Sequence, residues 1–331
     1  MFVVNSLPVA ILFCVVTMLG WGSWANTQKL AGKEKWPFEL FYWDYAIGVF
    51  LFSLVFAYAL GSFGTAGMPA RENLNAAGAE FAISALVSGA IFNASNLLLV
   101  VGIDLAGMTV AFPVGVGLAL VIGTVKTYVQ TPKGQPALLF GGVALIVLAM
   151  VLSALAQRRL PHTGRSGPLS GVLCSAAAGV VMGFFYPLLA RSISSDFNSR
   201  PIVPGMLTPY AALVIFGVGV VASNFLWNTI LMLVRRVPFG GYFRGSAKLH
   251  AIGILGGAIW MAALSFNLLA SGVAGPAVSY ALGQGATLVA ALWGIFIWKE
   301  FRDAPAGTGK YLAFMLAGYT AGLALIGAAT Q

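Results

Sequence analysis

The sequence predicts an all-α membrane protein of ten transmembrane helices, arranged as two inverted five-helix repeats. Three observations carry this prediction. Hydrophobic residues make up 59% of the chain and charged residues only 8%, against about 25% charged in a soluble domain, and the mean hydropathy is +0.91. Ten separate segments each supply the ~20 mostly apolar residues that a crossing needs. A stretch of the first half also aligns, without a gap, on a stretch of the second.

In chain order the spans are read at 6–28, 38–61, 79–102, 107–129, 137–156, 168–190, 207–234, 249–271, 274–298 and 310–329. The first run is too long, and lacks the positive leader, for a cleaved signal, so it stays as a helix. Ile103 to Ala106 and Ser271 to Val273 are so short that the spans they join must be antiparallel neighbours. Cys14 and Cys174 both fall in apolar runs and read as small buried hydrophobes, not as a disulfide or a metal site. The net charge of +9 sits in short loops, where it specifies orientation and does not point to nucleic acid. With the N-terminus outside, the inner loops hold 13 Lys and Arg residues and the outer loops 5, so both termini are expected outside.

The repeat appears when Gly89–Val121 is written over Gly257–Val289, a constant offset of 168. Eleven of 33 positions match, among them Gly89/Gly257, Gly107/Gly275, Val110/Val278, Gly115/Gly283 and Gly117/Gly285. The matched spans are third and fourth against eighth and ninth. Five crossings separate them, so the halves must run in opposite directions, the hallmark of secondary transporters with a substrate site at mid-membrane. The halves are expected at 1–157 and 168–331, with a short central loop at 158–167.

Three stretches carry a family resemblance: "GWGSWANTQKL", "FELFYWDYAIG" and "FNASNLLLVVGIDLAGMTVAFPVGVGLALVIGT". They resemble the bacterial relatives of the ureide permeases, which belong with the glucose/ribose porters and the rhamnose–proton symporters in the drug/metabolite transporter superfamily. The likeness is dense over the first four spans. It implies ten helices in two inverted halves, a bacterial inner membrane and proton-driven uptake of a small polar solute, whether sugar, ureide or nucleobase. Plant members carry a long central loop with a Walker A-like motif. No such motif occurs between Gln157 and Gly167, so nucleotide regulation has no support and no cofactor is expected.

Polar side chains within apolar helices face the bundle interior. Trp21, Trp24, Asn93, Asn96, Asn228, Trp260, Tyr280 and Gln284 are therefore expected to line one substrate cavity. The competing reading for each amide is helix-to-helix glue, and for Trp24, near Lys29, a place in the interfacial belt. Asn224, Trp227 and Asn228 share one face of the seventh span, and Asn267 and Tyr319 add polar groups to the eighth and tenth. Asp44 is the one acid well inside a span, with Glu39 about a turn earlier. A buried carboxyl that takes up and releases a proton is the natural carrier for coupling, so these two are the proton-coupling candidates. The alternative is a structural bond or an ion pair with Lys33 or Lys35. His250 reads as interfacial and Asp104 as a turn residue. Pro113 and Pro187 can kink their helices. "PVGVGL" and "ALGQGATL" occupy equivalent places in the two halves, as packing surfaces or as a gate.

The chain lacks H-E-x-x-H, Cys/His clusters and paired core carboxylates, and an enzyme is not expected. The resulting expectation is secondary active uptake, coupled to protons or sodium. The solute is small, neutral and polar, with monosaccharides first and ureides or nucleobases second. An exporter of metabolites or drugs is the alternative, although a cationic-drug exporter would want an acid on its first helix, which is absent.

Overall fold

The computed structural model describes residues 1–106, 108–160, 169–198 and 202–330; of 108–110 and 112 it describes the backbone alone. Gly107 of the Gly107/Gly275 pair, Arg165, Arg200 and the central loop from 161 onward lie outside the described residues, as does the Val110 side chain.

Among the described residues ten helical segments are long and apolar enough to cross a membrane, and the chain is an integral membrane protein. The first span is α1 (Leu7–Ser23) continued by α2 (Ala25–Lys33), and the second is α3 (Phe38–Tyr58). A short helix, α4 (Ala70–Asn75), precedes the third and fourth spans, α5 (Ala79–Ala106) and α6 (Met108–Gln130). The fifth to eighth spans are α7 (Pro136–Gln157), α8 (Leu169–Ser192), α9 (Pro209–Arg235) and α10 (Ala247–Ala274). The ninth is built in three pieces: α11 (Pro276–Gly283), α12 (Ala286–Leu292) and a π-helical turn, Trp293–Ile297. The tenth is α13 (Thr308–Ala328).

Several boundaries follow from local chemistry. Thr208 caps α9 by accepting a hydrogen bond from the Ala211 N–H, and Ser246 does the same for α10. Gly275 sits at φ +87° between the eighth and ninth spans, a left-handed turn that favours glycine. Leu12, Val55 and Phe225 are among the apolar side chains left exposed on the outside of the bundle, the surface a bilayer covers. Trp227 joins them, turned away from Asn224 and Asn228.

The helix pairings keep their places when every span is advanced by five. The third packs on the sixth as the eighth packs on the first, the second on the eighth as the seventh on the third, and the fourth on the sixth as the ninth on the first. The contacts repeat down to single residues. A β-carbon on Gly48 would strike the Ile254 carbonyl, and one on Gly257 the Tyr45 carbonyl. The same is true of Gly219 with the Leu86 carbonyl and of Gly89 with the Phe216 carbonyl. The second and third of these helices thus meet the eighth and seventh backbone to backbone, at positions shifted by the 168 residues of the alignment or close to it. Phe92 and Trp260, which the same alignment pairs, stack on each other with ring centres 4.0 Å apart. A residue that touches its own counterpart lies on the axis relating the two halves, which is what an inverted repeat requires.

Candidate solute cavity

The regular helix of the first span is interrupted at Trp24, between α1 and α2, and that of the ninth at Gln284 and Gly285, between α11 and α12. Trp24 and Gln284 both line a cavity of about 170 Å³. It is lined by the first, third, fourth, sixth, eighth and ninth spans. Broken helices at a cavity are tolerated because their backbone is buried in protein or meets solute and water.

Trp21, Trp24, Asn96, Trp260, Tyr280 and Gln284 all line this cavity. Trp21 donates its indole Nε1–H to the Trp260 carbonyl at 3.3 Å, and the two rings stack at 6.0 Å. With Phe92 on it as well, Trp260 is a fixed wall. Tyr280 is anchored by its hydroxyl, which donates to the Ala119 carbonyl at 3.2 Å. Asn96 donates its amide N–H to the Tyr42 hydroxyl at 3.0 Å, which aims its carbonyl oxygen away from that bond. Three groups on the lining have no hydrogen-bond partner among the described residues: the Asn96 Oδ1, the Trp24 indole N–H and the Gln284 side-chain amide. The lining contains no Asp, Glu, Lys or Arg.

Asn93 and Asn228 do not line the cavity. Asn93 donates to Ser223 Oγ at 3.0 Å, tying the third span to the seventh. Asn228 donates to the Glu39 carbonyl at 2.9 Å, tying the seventh to the second. Residues step by roughly 100° around a helix. Phe92 and Asn96, four apart, therefore share the cavity face, while Asn93 sits on its flank against the seventh span. Both amides act as interhelical glue.

The acids are also elsewhere. Glu39 is buried and ion-paired with Arg235 at 2.8 Å, and Arg235 also pairs with Asp104, which sets Asp104 apart from a plain turn residue. Asp44 is buried between His250 and Tyr242. Neither acid pairs with Lys33 or Lys35, the partners weighed from the sequence. His250 was legible as an interfacial residue; its partnership with Asp44 was not, since the two are 206 residues apart. Phe92 and Phe185 complete the aromatic lining. Phe92 could have been found, because it stands opposite Trp260 in the repeat alignment.

Towards the end bearing Lys29 and Glu300 the cavity continues into a vestibule of about 570 Å³, with which it shares Gly22, Ala25, Val116, Thr287 and Ala290. Here the ninth span is laced to the first: Trp293 donates to Ser23 Oγ, Trp298 to Asn26 Oδ1, and Lys29 pairs with Glu300 at 2.7 Å. At the other end the path is closed by fully buried side chains. Tyr186 donates its hydroxyl to Asn267 Oδ1 at 2.7 Å, and Asn267 donates its amide to the Ser279 carbonyl at 2.7 Å. Beyond that closure lies a small pocket of about 70 Å³ that includes Lys133, Ser194 and Ser271.

No family model matches the chain. The chain is 22% identical over 406 residues to ureide permease 4 of Arabidopsis thaliana, a comparison that covers 98% of each protein. A protein of known crystal structure, 15% identical, superposes with a TM-score of 0.58 over 94% of this chain and 95% of its own. At that identity the superposition speaks for the fold alone.

Proposed function

We propose that this membrane transporter takes up a small neutral ring compound with amide edges, a ureide or a nucleobase. The observation that carries the reading is the cavity itself: charge-free, walled by aromatic rings, and holding the unpartnered Asn96 carbonyl, Trp24 N–H and Gln284 carboxamide. A ureide or base presents N–H and C=O groups in its ring plane and an apolar face to the rings. A monosaccharide, the first choice from the sequence, carries a hydroxyl on nearly every carbon, and each buried one would need a partner. The cavity has few polar groups to offer, and Trp260, the natural sugar platform, is covered by Phe92 and Trp21. Full-length likeness to a ureide permease favours the same order.

A thermal-shift screen of the purified protein tests this. A ligand at a hundredfold excess over its Kd stabilises by about 2.7 kcal/mol, so allantoin or uracil should raise the Tm while glucose and ribose leave it unchanged. Gln284→Ala should lower the affinity roughly tenfold, the value of one hydrogen bond of about 1.5 kcal/mol, without changing the Tm of the ligand-free protein. Stabilisation by sugars and not by ureides would reverse the assignment.

In this reading the Lys- and Arg-rich loops are cytoplasmic, both termini are outside, residues 1–157 and 168–331 are the two inverted halves, and the membrane is the bacterial inner membrane. The 13-to-5 distribution of Lys and Arg supports the orientation. The vestibule then opens to the cytoplasm. A cysteine placed beside Arg244 should react with a membrane-impermeant thiol reagent only after the cells are opened; reaction in intact cells would invert the topology. Of the two coupling candidates, Glu39 already has its charge balanced by Arg235, which leaves Asp44 as the group through which a proton would couple to uptake.

A further inference from the structure

Asp44 lies under the loop that joins the seventh and eighth spans. Tyr242, in the 3-10 turn Phe239–Arg244, donates its hydroxyl to Asp44 Oδ1 at 2.6 Å. The His250 Nδ1 sits 3.0 and 2.9 Å from the two carboxylate oxygens. Neither Asp44 nor His250 lines the cavity or the vestibule. The geometry points to a proton-binding site formed by Asp44, His250 and Tyr242 on the basic side of the bundle, separate from the solute cavity.

The chemistry of the three groups decides where the proton goes. An ionised carboxylate only accepts hydrogen bonds, so facing it His250 must carry its hydrogen on Nδ1. Burial and the adjoining carboxylate both push the Tyr242 phenol up, so it too remains a donor. Nε2 is then the position left to gain or lose a proton, and it has no hydrogen-bond partner among the described residues. Its imidazole is edge-on to the Trp36 ring, and the side chain keeps 24% of its surface exposed. Gly245 passes beside Nε2: a β-carbon there would stand 2.7 Å from that nitrogen. The φ of Gly245 is an ordinary −63°, so the missing side chain serves space and not backbone freedom. It keeps Nε2 uncovered.

Protonation at Nε2 converts a buried site of net charge −1 into a neutral imidazolium–carboxylate pair. His250 lies in the first turn of α10, where the positive end of the helix disfavours a cation, and Asp44 offsets this. The neighbouring charges are taken up elsewhere: Lys248 of the same turn pairs with Glu34, and Arg235 of the seventh span pairs with Glu39 and Asp104. Lys29, on the packed α2, pairs with Glu300, and Lys33 stands over the Trp298 ring; Lys35, beside Trp36, Arg236, at the end of the seventh span, and Arg244, at the end of the 3-10 turn, are the remaining cations on the packed elements. Because Tyr242 belongs to the connection between two spans, the charge of the site bears directly on how that connection is held. The site stands without the solute reading; what the bound proton does in transport rests on it.

The protein has two histidines, His162 and His250, so His162→Gln leaves a single imidazole to follow by NMR. In detergent solution without solute, the His250 resonance should titrate reversibly with pH. Asp44→Asn should weaken its proton affinity roughly tenfold or more, by loss of the opposite charge. Tyr242→Phe should strengthen it, because the carboxylate loses its other donor. Opposite displacements in the two variants are the signature of this site, and Tyr242→Phe keeps the test alive should Asp44→Asn misfold. A His250 titration displaced by neither variant, or in the same direction by both, overturns the assignment. In proteoliposomes, solute-driven acidification by the wild type that is lost in Asp44→Asn would mark the proton as cargo. Uptake without acidification, with the titration behaviour intact, would mark it as a bound regulator of the same site.

Discussion

Gly257→Leu should prevent assembly of the folded bundle. The Gly257 Cα already lies against the second span, where a β-carbon would strike the Tyr45 carbonyl and stand 2.7 Å from the Val49 nitrogen. Both obstacles are backbone inside a helix and cannot swing aside. The two helices would have to separate along an interface that also includes Gly48 and Gly253. Overpacking costs ~1–3 kcal/mol where side chains can adjust, and a rigid collision of this kind belongs with the exceptional losses above about 4–5 kcal/mol. Gly32→Leu and Gly327→Leu are the controls, since nothing lies within 4 Å of a β-carbon at either position. The controls should elute as the wild type does in size-exclusion chromatography, while Gly257→Leu aggregates or fails to accumulate. A monodisperse Gly257→Leu with wild-type Tm would mean that the second and eighth spans do not pack in this way.

Asn267→Leu should open the closure formed with Tyr186 and Ser279. Leucine fills nearly the same space but removes both bonds of Asn267, leaving the buried Tyr186 hydroxyl without its acceptor and the Ser279 carbonyl with its helical bond alone. Each buried orphan costs ~1–3 kcal/mol, and the cost vanishes in any state where water reaches it. A penalty of ~2 kcal/mol shifts the balance between closed and open forms roughly thirtyfold, at 1.4 kcal/mol per factor of ten. A reporter is built in. Cys14 is 1% exposed and lies close to Ser279. In the proposed orientation, and in a Cys174→Ser background, an impermeant maleimide added outside intact cells should label Cys14 slowly in the parent and much faster in Asn267→Leu. Tyr186→Phe, which loses only one of the two bonds, should fall between them. Equal rates in all three would show that the closure does not depend on Asn267.

Much of this architecture was legible because the bilayer imposes a strong length and polarity code. The spans were found within a few residues, and the third ran on past Gly102 to Ala106 because Asp104 is engaged by Arg235 on the seventh. The stretch "ALGQGATL" stood out as a packing surface or a gate, and the helix does break there, at Gln284 and Gly285, beside the cavity. Relative angle on one helix was readable as well: Trp21 and Trp24 do share a face, and that face meets the cavity. What spacing cannot supply is the neighbour across the interface. Asn93 and Asn96 looked equivalent by spacing, yet one meets Ser223 and the other Tyr42 and the cavity. The partnership of Asp44 with His250 and Tyr242 likewise depends on how distant spans are brought together, which no local pattern encodes.

The stacked rings of Phe92 and Trp260 carry a historical consequence. If a five-span chain once paired with an identical copy of itself in opposite orientation, the residue on the axis faced its own duplicate, and any change in it altered both sides of the contact at once. Joining the two copies into one gene lifts that restriction. Each side of the axis can then be changed alone, and the ring pair found here, one phenylalanine and one tryptophan 4.0 Å apart, is a combination that no identical pair could reach. A cavity beside such a contact can lose its twofold likeness, and with it the restriction to guests that suit a symmetric site.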